Sequence, residues 1–155
     1  MAANQPKSNQ RNFMSKQIDP RGPRFGAAIT TIVVAVALVT LPSTTATVLI
    51  AIQLVAHALG AFVGLSAQPY GILYRKLVQP SLGKPTELED EAPPKFAQLI
   101  GFIFAVAALG ALALDQTVAA QIIVALHLAA SFLNAAFNFC LGCQMYLIGK
   151  RIISN

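Results

Sequence analysis

Charge is what this sequence has least of. Charged residues make up 11% of its 155 positions, against about 25% in a soluble domain. With hydrophobic residues at 55%, that shortage argues against an ordinary water-soluble domain. Histidine occurs only at His57 and His127, and two imidazoles without carboxylates beside them make a poor metal site. There is no cofactor-binding motif, so no cofactor is expected. There is also no finger motif and no basic face interleaved with aromatics. The net charge of +5 therefore does not point to nucleic acid. Basic residues that flank apolar runs act instead as topological anchors, and they attract anionic lipid headgroups.

What the sequence does have is apolar length. A hydrocarbon core of about 30 Å needs about 20 apolar residues per helix. Residues 23–41, 45–65, 96–114 and 118–149 supply four such helices, the last extending beyond its apolar part to a basic end. The expected fold is all-α: an integral membrane four-helix bundle with short outer loops and one long cytoplasmic loop. Residues 1–22 are polar and basic, with too little apolar surface to fold alone, and are expected to form a disordered tail. Residues 23–155 would form the membrane domain. The first apolar run leads at once into the second and reads as an uncleaved helix, not a signal peptide.

All eleven Lys and Arg residues fall in the N-terminal segment, in the connection over residues 66–95, or after the fourth run. The connections near Pro42 and Asp115 carry none. Cytoplasmic loops are enriched in Lys and Arg, so both termini and the 66–95 connection are expected in the cytoplasm. Within that connection, residues 70–78 suit a short helix at headgroup level. The acidic run Glu87, Glu89, Asp90, Glu91 reads as a solvated loop. The alternative is pairing with Arg21, Arg24, Arg75 or Lys95, each exposed pair contributing about 0–1 kcal/mol.

Polar residues inside the apolar runs are few and patterned. His127, Ser131, Asn134 and Asn138 are spaced four, three and four apart, which aligns them in one stripe of a helix. Unsatisfied polar groups are costly in hydrocarbon, so the stripe should face other helices or a cavity. It either fixes the bundle through interhelical hydrogen bonds or lines a path for substrate or protons. His57, with Gln53 one turn away, lies at a depth similar to His127, so contact between the two imidazoles is geometrically allowed.

The two cysteines form Cys140-Leu141-Gly142-Cys143. A C-x-x-C of this kind serves as a redox pair, as half of a shared metal site, as a sulfur-transfer site, or as two small packing residues. On a continuous fourth helix the pair lies toward the C-terminus. There the helix dipole disfavours thiolate, and slow reaction is expected. Extrapolated as ideal helix, the cysteines face away from the His127–Asn138 stripe unless the chain bends near Gly142. A reducing compartment argues against a constitutive structural disulfide.

Four stretches are more distinctive together than alone. They are Asp19-Pro20-Arg21-Gly22-Pro23-Arg24-Phe25, Pro69-Tyr70-Gly71, Glu87 to Pro94 with Phe96-Ala97-Gln98, and Phe132-Leu133-Asn134-Ala135-Ala136-Phe137 leading into the cysteine motif. With them the chain resembles a bacterial family of four-helix membrane proteins catalogued as a domain of unknown function. The resemblance implies a bacterial plasma membrane location and an association with thioredoxin-like or rhodanese-like soluble partners. It points to thiol redox or sulfur-transfer chemistry at Cys140 and Cys143, with Arg21, Arg24, Gln98, Asn134 and Asn138 as rim and supporting residues. The alternative, from another class, is a structural or assembly subunit, within a homo-oligomer or a larger membrane complex.

The charge pattern gives a direct test of orientation. In a variant free of native cysteines, Lys84→Cys should resist an impermeant thiol reagent added outside intact cells, and Thr117→Cys should react. Labelling of Lys84→Cys from outside would overturn the orientation.

Overall fold

The computed structural model describes residues 16–155. The expected tail lies, over residues 1–15, outside the described residues. In chain order the elements are β1 (Gln17–Ile18), α1 (Arg21–Thr40) and α2 (Thr44–Ala58), which a wider π-type turn prolongs over Leu59–Val63. Then come α3 (Pro69–Leu73), a second π-type turn (Tyr74–Val78) and α4 (Gln79–Leu82). They are followed by β2 (Glu89–Asp90), α5 (Ala92–Ala113), α6 (Thr117–Phe137) and α7 (Leu141–Ile153). The described residues are thus all-α apart from one two-residue strand pair, and α1, α2 with its extension, α5 and α6 are each long and apolar enough to cross a membrane.

Local chemistry sets the helix ends. Asp19 Oδ1 accepts the Arg21 N–H at 3.0 Å, so α1 starts ahead of Pro23. Thr31 and Thr40 donate their hydroxyls to the carbonyls of Ala27 (2.7 Å) and Val36 (2.8 Å), which satisfies them inside their own helix. Ser43 accepts the Ala46 N–H at 3.3 Å and caps α2. Helix α5 begins before the double proline, because Pro93 and Pro94 fall in its first turn, where a missing N–H costs nothing. Asp115, at φ 57°, makes the tight turn into α6.

Helix α1 packs on α2 and α6, and α5 packs on α2 and α6. The core between them is built from small or branched residues: Val34, Ala37, Ile50, Ala105, Ala108 and Val124. Small residues let backbones approach closely, which is how helices associate where lipid removes the hydrophobic drive between them. The large apolar side chains point outward instead. Ile32, Val39, Phe62, Ile103, Val118 and Ile122 are all exposed, a distribution that suits hydrocarbon and not water.

The expected single helix over residues 118–149 is two helices. Asn138 adopts the left-handed conformation at φ 53°, which asparagine tolerates better than most residues. Its N–H bonds the Asn134 carbonyl at 3.1 Å, and the Phe139 N–H reaches the Leu133 carbonyl at 3.2 Å. Cys140 is extended, and α7 starts after it. The bend therefore falls before the cysteines and not at Gly142. Gly142 acts through its lack of a side chain. A Cβ there would lie 2.6 Å from Ala97 Cα, so only glycine lets α7 press against the start of α5.

The start of α1, the end of α2, the start of α5, the end of α6 and the start of α7 share one rim. The pair β1–β2 crosses it in antiparallel register, Gln17 opposite Asp90 and Ile18 opposite Glu89. Asp19 ties the rim together: it is bridged to Arg21 at 2.9 Å, takes the Tyr74 hydroxyl at 2.8 Å and lies 3.4 Å from the Gln79 amide nitrogen. Among the described residues the acidic run forms no ion pair. Two of its members serve the backbone instead, Glu91 accepting the Leu65 N–H and Asp90 the Ala92 N–H, each at 2.9 Å.

Partial burial pushes the Asp19 carboxyl up. Hydrogen bonds from the Arg21 side chain and N–H and from Tyr74 outweigh it, and the group titrates below its ordinary value of 3.8. A carboxylate depressed on folding adds stability above its unfolded pKa and loses it as pH falls through the folded one. Wild type should therefore exceed Asp19→Asn in thermal stability at neutral pH, and the gap should close as pH drops below 3.8. Thermal unfolding in detergent across that range measures it; a gap independent of pH would contradict the assignment.

Candidate functional site

Cys140 is the residue that caps α7, and Cys143 lies in its first turn. A disulfide joins them, with Cα atoms 5.1 Å apart, and the Cys143 N–H points at the Cys140 sulfur at 3.2 Å. The dipole argument drawn from a continuous fourth helix is thereby reversed. The pair sits at a helix N-terminus, where unpaired N–H groups and the positive end of the dipole favour a sulfur anion. In the dithiol state the same N–H is available to a Cys140 thiolate.

Both cysteines are partly exposed and line a polar rim cleft of about 330 Å³ with Arg24, Glu89, Asp90, Asn134 and Asn138. The Arg24 Nε donates to the Ala135 carbonyl at 3.1 Å, which fastens the start of α1 to the end of α6. Of the expected rim residues, Arg24, Asn134 and Asn138 thus meet the cysteines. Arg21 does not line this cleft, since it turns to Asp19 and to the Gly83 carbonyl, the latter at 2.9 Å. Gln98 does not line it either and belongs to a second group.

That second group lies deeper. His57 Nδ1 is 2.7 Å from Gln98 Oε1, and His57 Nε2 is 3.2 Å from His127 Nε2. An amide oxygen only accepts, so neutral His57 carries its proton on Nδ1, and His127 must donate from Nε2. Gly101 makes room for this pair, since a Cβ there would fall 2.7 Å from the His57 ring. Phe104 stacks on His127 with ring centroids 5.5 Å apart. The contact allowed by depth is therefore made, and Gln98, expected at the rim, is its third member. Gln53, the expected companion of His57, is fully buried with neither amide atom hydrogen-bonded to the described residues.

The polar stripe of α6 divides into distinct roles. His127 bonds across helices, and Ser131 returns its hydroxyl to the Leu128 carbonyl at 3.0 Å. Asn134 reaches the cleft, and exposed Asn138 ends the helix. A second cavity of about 360 Å³ runs between α5, α6 and α7 from the histidine pair to Cys140. Asn134 and Cys140 line both the cleft and this cavity.

Sequence reasoning misses Asp19, Tyr74, Phe104 and Gly101. Asp19 stands inside the first distinctive stretch, where an acid two residues before a helical Arg is a signal for an end cap. Phe104 and Gly101 read like any lipid-facing positions.

Residues 18–151 match the family model described as Domain of unknown function (DUF4395). No curated protein and no solved structure matches the chain.

Proposed function

The chain belongs to the DUF4395 family, and from that premise we propose that it is a membrane thiol protein whose Cys140–Cys143 pair exchanges with a soluble partner of thioredoxin-like chemistry. The observation that carries this reading is the position of the disulfide, at the N-terminus of α7 and on the wall of a polar cleft. In the exchange, a partner thiolate attacks the Cys140 sulfur and Cys143 leaves as thiolate. A second partner thiolate then attacks the partner sulfur of the mixed disulfide, releasing Cys140 as thiolate and leaving the partner oxidised. The reverse sequence reduces the partner. Either direction balances two electrons and two protons between the proteins.

The four apolar helices support a multi-pass membrane location. The clustering of Lys and Arg toward the cysteine-bearing end supports a cytoplasmic orientation of that end; a bacterial plasma membrane is what the resemblance of the distinctive stretches implies. Sulfur transfer with a rhodanese-like partner would use the same cleft, but a pair closed as a disulfide supports redox exchange more directly. A second reading, a structural or assembly subunit, draws on the seating of Gly142 against Ala97, which packing alone would require.

The test is a Cys143→Ser variant, which removes the residue that resolves a mixed disulfide at Cys140. Membranes carrying it should yield a reductant-sensitive adduct with a soluble thiol protein. The double variant Cys140→Ser with Cys143→Ser should yield none. If no adduct forms, and neither native cysteine alkylates in reduced membranes without denaturant, the subunit reading replaces this one.

A further inference from the structure

We infer that the cavity between α5, α6 and α7 binds a membrane quinone, which takes the electrons of the Cys140–Cys143 dithiol. This inference rests on the redox reading above. It starts from the residues shared by the two voids. Cys140 and Asn134 form part of the polar rim cleft and also part of the 360 Å³ cavity. The disulfide is therefore reached from two sides of unlike chemistry.

Four features of the cavity select its occupant. Among the described residues no charged side chain lines it, which disfavours an ionic ligand. Its walls include Leu126 and Met145, both exposed large apolar residues on faces that point away from the packed interior, so an occupant enters from lipid. Where α5 meets α6 the lining is small or aromatic, Gly101 and Ala130 with Phe104, whose ring stacks on His127, a surface on which a planar ring can lie. At the rim end, the Asn134 side chain is uncommitted among the described residues and lies on the cavity wall, where its amide can donate to a carbonyl. An uncharged, planar, lipid-borne molecule with carbonyl oxygens, placed beside a dithiol, is a quinone. A lipid acyl chain meets the solubility requirement and ends in an ester carbonyl, but it is not planar and accepts no electrons.

The step balances as dithiol plus quinone giving disulfide plus quinol. The Cys140 thiolate adds to a quinone ring carbon, and the Cys143 sulfur attacks the Cys140 sulfur. The carbon–sulfur bond breaks, its electron pair stays on the ring, and the two thiol protons end on the two ring oxygens. The dithiol is oxidised by two electrons and the quinone is reduced by two. The soluble partner's dithiol then reduces the new disulfide through the cleft, so the two voids serve alternate halves of one cycle.

The experiment uses the full chain in phosphatidylcholine nanodiscs, reduced, freed of reductant and kept anaerobic. Decylubiquinone is added, and its absorbance is followed beside thiol titration. The expected result is one quinone reduced per dithiol lost, absent in Cys140→Ser and in Cys143→Ser. Ala130→Phe narrows the cavity from the α6 wall and changes neither cysteine; Ala130 does not line the rim cleft. It should abolish quinone reduction and leave exchange of the disulfide with a soluble dithiol unchanged. Ala129→Leu, on the same wall, serves if Ala130→Phe does not fold. Persistence of the thiols in the presence of quinone, or quinone reduction indifferent to both cavity variants, would overturn the inference and leave the cavity to lipid chains. Adduct trapping by Cys143→Ser would still stand in that case, so failure here is distinct from failure of the thiol reading.

Discussion

The left-handed turn at Asn138 ends α6 one residue past Phe137 and leaves Cys140 extended, free to cap a new helix. The arrangement of the rim depends on that turn. A helix continued through it would carry the cysteines away from the stripe of His127 and Asn134 and place them near a helix C-terminus. The turn instead brings α7 back across the start of α5, where Gly142 permits contact with Ala97. One backbone conformation thus decides which voids the sulfurs reach and which end of a dipole they feel.

The interior imposes the second constraint. Imidazoles and an amide set among apolar helices are costly to bury unless they are hydrogen-bonded. Gln98, His57 and His127 do so in a chain of 2.7 and 3.2 Å contacts, with Gly101 providing the space. The same packing leaves, beside these three residues, a cavity that ends at Cys140 and is lined by no charged side chain among the described residues. At the rim, Arg24 holds α1 to the end of α6 and Asp19 holds it to the segment around Tyr74.

Much of this is legible in the sequence. Apolar run lengths mark four helices long enough to span a membrane, and matching depth allows His57 to meet His127. The distinctive stretches, set on that topology, mark Arg21, Arg24, Gln98, Asn134, Asn138 and the cysteines as rim residues; Arg24, Asn134, Asn138 and the cysteines meet in one cleft, while Gln98 joins the histidines and Arg21 turns to Asp19. The break at Asn138 is not legible, because periodicity runs through it: an Asn four residues past Asn134 fits a helical stripe as well as it fits a left-handed cap. Gly142 invites a bend for the same reason, while its real partner, Ala97, lies on another helix and leaves no trace in local sequence. The acidic run reads as unpaired and forms no ion pair among the described residues. Its use of Glu91 and Asp90 to hold backbone N–H groups depends on turns that only the folded chain defines.

The central claim is that the cysteine pair begins a helix, so that Cys140 is the sulfur activated as thiolate and presented to partners. Competitive alkylation of the reduced protein in nanodiscs at neutral pH, with each cysteine quantified by mass spectrometry, tests it. The account predicts that Cys140 alkylates faster than Cys143, and faster than the same motif in a denatured control. Equal rates at the two cysteines, no higher than in the denatured control, would contradict it.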